Sequence, residues 1–217
     1  MSELSAVSEP SALVEPSKRA RTRERLMDAA AGVFSETGFG AASLELICER
    51  AGLTRGAFYY NFSSKEELFL AAMGRELDSV LGFLAESAGP DSEGLDQVIA
   101  HLRTLYATDA YDYVALVRLN EEFRLYALRD DAAAAAYTEH FRTIHERLGS
   151  AFSSAAALDG RVMLAAPETV AAIAIAIFFQ TVNEGVLARQ DESEIFTVAA
   201  ERASIALEAL MPRAPRS

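Results

Sequence analysis

The feature that most limits what this chain can fold into is a helical repeat of apolar residues, unbroken by any strand-like alternation. Leu26, Ala29, Ala30, Val33 and Phe34 follow i, i+3, i+4, i+7 and i+8, one face of a helix. No segment alternates with period two, and no Val/Ile/Thr clusters sit between turn pairs. The expected class is all-α, with about nine helices. Gly38 is expected to stop the first helix, and Ser43 to cap a short one over 44–50. Gly52 breaks that helix and Thr54 caps a third. Ser64 opens a long helix with Glu67 three residues on, a capping box. "AGPDSEG" at 88–94 is a break, and further helices are expected near 93–107, 111–129, 131–157, 168–189 and 192–211.

Residues 1–17 are rich in Ser, Glu and Pro without periodicity and read as a disordered arm. A small helical unit is expected over 18–64, a larger helical unit over 65–211, and a fraying tail over 212–217. No basic and apolar leader is visible. The longest apolar run, "VAAIAIAIFF" at 170–179, is ten residues, too few to cross a bilayer. A cytoplasmic protein without membrane association is expected. One cysteine excludes an intrachain disulfide framework and a cysteine-based zinc site, and no metal or cofactor is expected.

The net charge of -12 hides a division. Residues 18–75 carry nine basic and seven acidic side chains, whereas 76–217 carry 11 and 22. A mildly basic front joined to a strongly acidic rear fits a polyanion-binding module on a body that is not one.

Residues 43–62 read as two short helices about a tight turn. Gly52 can reach positive φ there, and Cys48 is the small residue at the crossing. Ile47, Leu53 and Phe58 lock the second helix onto the first, with Phe58 and Phe62 facing inward. Cys48 then packs as a small hydrophobe. Thr54, Arg55, Gly56, Tyr59 and Tyr60 are left facing outward. Arg55 can take guanine O6 and N7 bidentately. Thr54 and the helix start suit phosphate, Gly56 permits close backbone approach, and the tyrosines reach phosphates or thymine methyls. Upstream, Lys18, Arg19, Arg21 and Arg23 are candidates for an arm on flanking phosphates or the minor groove.

The pieces "DAAAGVFSETGF", "SLELICERAGLTRGAFYYNF" and "SKEELF", within residues 21–73, resemble the DNA-binding domain of the TetR family of bacterial transcription regulators. The resemblance covers about a quarter of the chain. It implies a homodimer with two recognition helices in successive major grooves, and a divergent C-terminal domain that binds a small-molecule effector. It places base and phosphate contacts at Ser43, Thr54, Arg55, Gly56, Tyr59, Tyr60, Asn61 and Lys65. The chain departs from the family pattern at Ala42, where Thr is common, at Cys48, where Ala is usual, and at Asn61, where His is common.

The rear carries no general motif. Tyr106, Tyr113, Asn120, Phe123 and Tyr126, with Phe141, Ile144, His145, Phe152 and Phe179, could line one cavity or fill a bundle core. Asn120, Gln180 and Asn183 are polar on apolar helices and need partners if buried. By resemblance, helices near 168–189 and 192–211 pair with their two-fold mates, and Gln180, Asn183 and Glu184 fit either that interface or the pocket. An enzyme is disfavoured: His140 and His145 are five apart, His101 stands alone, and no Gly-x-Ser-x-Gly, P-loop or dinucleotide fingerprint occurs. The expected function is sequence-specific regulation of transcription, as a repressor released from its DNA operator by a largely apolar ligand. An adaptor that recruits a protein partner to DNA is the alternative.

Overall fold

The computed structural model describes residues 17–87, 94–106 and 113–214, with side chains at 76, 77, 79–87, 101–106 and 113 left out. Among the described residues nine α-helices run in order: α1 Lys18–Ala41, α2 Leu44–Ala51, α3 Arg55–Asn61, α4 Lys65–Ser87, α5 Leu95–Tyr106, α6 Tyr113–Ala127, α7 Asp131–Leu158, α8 Pro167–Leu187 and α9 Glu192–Leu210.

The caps follow the sequence closely. Ser43 Oγ accepts from Leu46 N and Thr54 Oγ1 from Ala57 N, at 3.1 and 3.2 Å. Gly52 takes the left-handed conformation at φ 62°, ψ 38°. Leu53 N then donates back to Cys48 O at 2.9 Å, which closes the turn. Ser64 Oγ accepts from Glu67 N, but the Glu67 carboxylate reaches one residue further back than a capping box requires, to Ser63 N and Oγ. Gly38 stops the regular run of α1, as expected: it sits at the non-helical φ 76°, ψ 164°, and a separate short turn runs on to Ala41.

Three apolar clusters hold the helices. The first joins α1 to α4 and takes in Phe123 and Ala127 from α6 and Ala133 from α7. The second gathers Leu95, Ile144, Leu148, Phe152, Val170 and Leu207 from α5, α7, α8 and α9. The third gathers Val114, Val117, Phe178, Val182, Ile195 and Phe196 from α6, α8 and α9.

One expectation is corrected. The segment after Pro212 does not fray through Ala214: Val162 N donates to Pro212 O and Ala214 N to Gly160 O. Arg161, nearly buried, donates to Met211 O and pairs with Asp96 and Asp159. The ten-residue apolar run lies within α8, whose 21 residues have a mean hydropathy of 1.7 over their most apolar stretch, so by length and composition alone the helix could cross a membrane. In the fold it packs along α7 and α9.

Candidate nucleic-acid interface and rear core

The recognition surface is built from its buried side outward. Ile47 and Phe58 have no exposed surface and Phe62 is buried, so α3 is locked onto α1 and α2 from behind. Cys48 is buried in the same contact. Burial pushes its thiol up, away from the reactive thiolate. Arg25 on α1 donates to Ala51 O at 2.6 Å and ties off the end of α2.

On the outer face Ser43, Thr54, Arg55 and Gly56 are exposed. Tyr59 and Tyr60 are 53% and 69% exposed. Packing does not explain rings of this size left in water on a short helix. Arg55 pairs with Glu45 of α2 and donates to the Tyr59 hydroxyl at 3.4 Å. Glu45, two residues after the Ser43 cap, is not among the contact residues expected from the sequence.

Other expected contact residues are placed differently. Asn61 is buried; its Nδ2 donates to Ala57 O at 2.8 Å, so its side chain serves α3 rather than the outer face. Lys18, Arg19, Arg21 and Arg23 do not form a free arm, since they occupy the first turns of α1. Arg23 turns inward, with its guanidinium 4.1 Å from the Phe62 ring centre and donating to Asn61 O. Arg19 lies over Tyr60 at 5.4 Å, and Arg21 is exposed. Lys65 is half-buried and donates to Phe39 O and Ala42 O at 2.9 and 3.0 Å. Burial pushes its ammonium down, with Glu66 opposing.

In the rear the expected cavity residues separate. Tyr106 and Tyr113 lie outside the described side chains. Phe123 is fully buried against the front, stacked on Phe69 at 4.7 Å and edge-on to Phe39 at 4.8 Å. Tyr126 joins them and donates to Glu66. Asn120 is buried, but Tyr137 donates to its Oδ1 at 3.1 Å, so its partner is internal and it requires no ligand. Ile144 and Phe152 sit in the second cluster. Phe141, half-buried, touches Tyr137, His145 and Phe179. Rings thus follow one another from Phe34 through Phe69, Phe123, Tyr137 and Phe141 to Phe179. Gln180 is exposed and donates to Glu184, which also accepts from Arg202 of α9. Gln180 and Glu184 therefore belong to the outer α8–α9 face; Asn183 is half-buried.

A groove of about 890 Å³ opens between α1, α4 and α7. Met27, Leu70, Ala133 and Ile144 form apolar walls, and His140 enters opposite Gly74. Its charged rim is internally paired: Arg75 bonds Glu24 and Asp28, and Arg147 bonds Asp78. No cluster of three or more metal-ligating side chains occurs among the described residues.

Residues 26–72 match the family described as bacterial regulatory proteins, tetR family. The chain is 30% identical over 88 residues to the HTH-type transcriptional activator FasR of Mycolicibacterium smegmatis, covering 41% of this chain and 40% of FasR. It is 33% identical over 106 residues to the HTH-type transcriptional repressor BepR of Brucella suis, covering 47% and 51%. The chain thus spans about half or less of the length of these relatives. Among solved structures, the SmeT–triclosan complex superposes with a TM-score of 0.59 at 23% identity, over 86% of this chain and 91% of that one. With its helix-turn-helix and exposed tyrosines, the chain is similar over residues 26–72 to the bacterial regulatory proteins of the tetR family.

Proposed function

We propose that the protein is a sequence-specific DNA-binding regulator of transcription that acts as a homodimeric repressor and leaves its operator when a small, largely apolar ligand binds. The observation that carries this reading is the Arg55–Tyr59–Tyr60 face, exposed on a helix whose other side is fully buried. Residues 18–64 are the DNA-binding unit and 65–211 the effector and dimer unit. Repression is favoured because occluding an operator needs no surface for polymerase.

The dimer face is the outer side of α8 and α9. Leu187 and Ile205 are 84% and 61% exposed there, and Ile205 shares a hollow with Ala176, Ile177, Gln180, Thr181 and Arg202. Exposed apolar side chains of this size on adjoining helices support a partner surface. The effector region is where Phe141, His145 and Phe179 meet, at the rear end of the ring series that reaches Phe39. A ligand that shifts α7 against α8 there has packed side chains through which to move α1, provided the two arrangements are discrete. That a SmeT structure holds triclosan supports a small apolar effector.

The test is fluorescence anisotropy of the full chain with DNA flanking its own gene, over a salt series, with scrambled duplex as control. Discrimination of about 10³-fold or more, at two protomers or a multiple per site, is expected. Equal binding to both duplexes would overturn the reading.

A further inference from the structure

Glu45 lies in the first turn of α2, and Arg55 opens α3. An ion pair joins them across the helix-turn-helix, with side chains 63% and 56% exposed. They share the outward face with Tyr59, to which Arg55 also donates. A carboxylate here works against binding any phosphate backbone. Stability does not explain its placement. An exposed pair contributes roughly 0–1 kcal/mol, and an acid anywhere in the first turn would serve the helix start equally. The ion pair fixes this acid beside the one side chain suited to guanine.

We propose that Glu45 is a specificity-determining residue, and that the Glu45–Arg55 pair reads one G·C base pair from both of its bases. This rests on the DNA-reading function above. In the major groove guanine presents two acceptors, O6 and N7, and cytosine presents the N4 donor. Arginine has only donors and an ionised carboxylate only acceptors. Side by side, they demand acceptor and donor in one order. Reversal to C·G sets the carboxylate against O6 and the guanidinium against N4, and both contacts repel. An A·T pair sets the carboxylate against thymine O4, another acceptor. A T·A pair offers Arg55 one acceptor and Glu45 the adenine N6 donor, so it ranks second. A duplex that supplies no donor leaves Glu45 facing DNA uncompensated, which turns the acid into a filter against non-cognate sites.

The test uses the full-length protein and its E45Q, E45A and R55A variants. Each selects from a random duplex library, and anisotropy then measures the selected site with all four base pairs at the assigned position. Wild type is expected to rank G·C above T·A, with A·T and C·G last. Glutamine is isosteric with glutamate but can also donate. E45Q is therefore expected to lose about tenfold of the preference for G·C over A·T, and to bind scrambled duplex more tightly. If R55A loses discrimination while E45Q and E45A keep the full wild-type preference for G·C over A·T, the inference fails and DNA reading stands. If wild type selects no sequence, both fail.

Discussion

Glu122 Oε2 on α6 accepts the backbone N–H of Phe39 at 2.9 Å, a contact between residues 83 positions apart. From the other side Lys65 donates to Phe39 O and lies 4.4 Å from the Phe39 ring centre. The link between α1 and α2 is thus gripped by both the rear and the front. Glu122→Ala should cost about 1–3 kcal/mol, because the Phe39 N–H loses its acceptor. Glu122→Gln, which keeps an acceptor, should cost less. Urea unfolding gives the energies. Hydrogen exchange of the Phe39 amide should rise in Glu122→Ala alone, and equal exchange in all three proteins would remove the grip.

Gly38 and Gly40 make a matched pair. A Cβ on Gly38 would lie 2.6 Å from Glu122 Oε2, at a φ of 76° that L side chains rarely adopt. Gly40 has nothing within 4 Å and no positive φ. Gly38→Ala should therefore destabilise by roughly 1–3 kcal/mol, and Gly40→Ala should be neutral or mildly stabilising. Thermal unfolding of the two variants decides it.

Arg55→Ala should cost roughly 1–3 kcal/mol on the operator and little on scrambled DNA. Lys65→Ala should weaken every duplex alike, with a shallower salt dependence. It should also lower stability, because Phe39 O and Ala42 O lose their donor. Unfolding and binding measured on the same samples separate the two effects. A Lys65→Ala protein of wild-type stability would show that these carbonyl bonds contribute nothing net.

Burial lowers the pKa of His140, against an opposing pull from Asp78, and lowers that of His145. Below about pH 6.5 the unfolded chain therefore binds protons that the folded chain refuses. This contribution to stability is complete above that pH and is lost as pH falls through it toward the lower folded values. The melting temperature should drop across this window, and by less in His140→Gln. An identical pH profile in that variant would show that His140 does not titrate differently on folding.

Ile205 is exposed on the outer face of α9. Ile205→Glu should leave the monomer folded and shift sedimentation from dimer to monomer, with loss of operator binding. A dimeric Ile205→Glu protein would move the two-fold contact elsewhere.

What could be read in the sequence was local. The Leu26–Phe34 stripe, the Ser43 and Thr54 caps and the left-handed Gly52 each depend on neighbours within a turn or two, and the fold keeps all of them. What escaped was set by distant partners. Phe39 N finds its acceptor on Glu122, and Asn61 and Arg23 turn inward because α1 and α3 offer each other a ring and a carbonyl. Tyr137 satisfies Asn120 across 17 residues. Polarity alone could not tell a side chain that awaits a ligand from one that already has a neighbour.

The helix α8 also bears on how the protein is made. Its 21 apolar-rich residues leave the ribosome before α9, whose Ile195, Phe196 and Ala199 pack with its Phe178 and Val182. Until α9 follows, the nascent chain displays a segment that meets the length and hydropathy of a membrane span. Prompt docking of α9 is then a race against mistargeting and aggregation, and substitutions that slow it would first be felt as lost yield, before any change in DNA affinity.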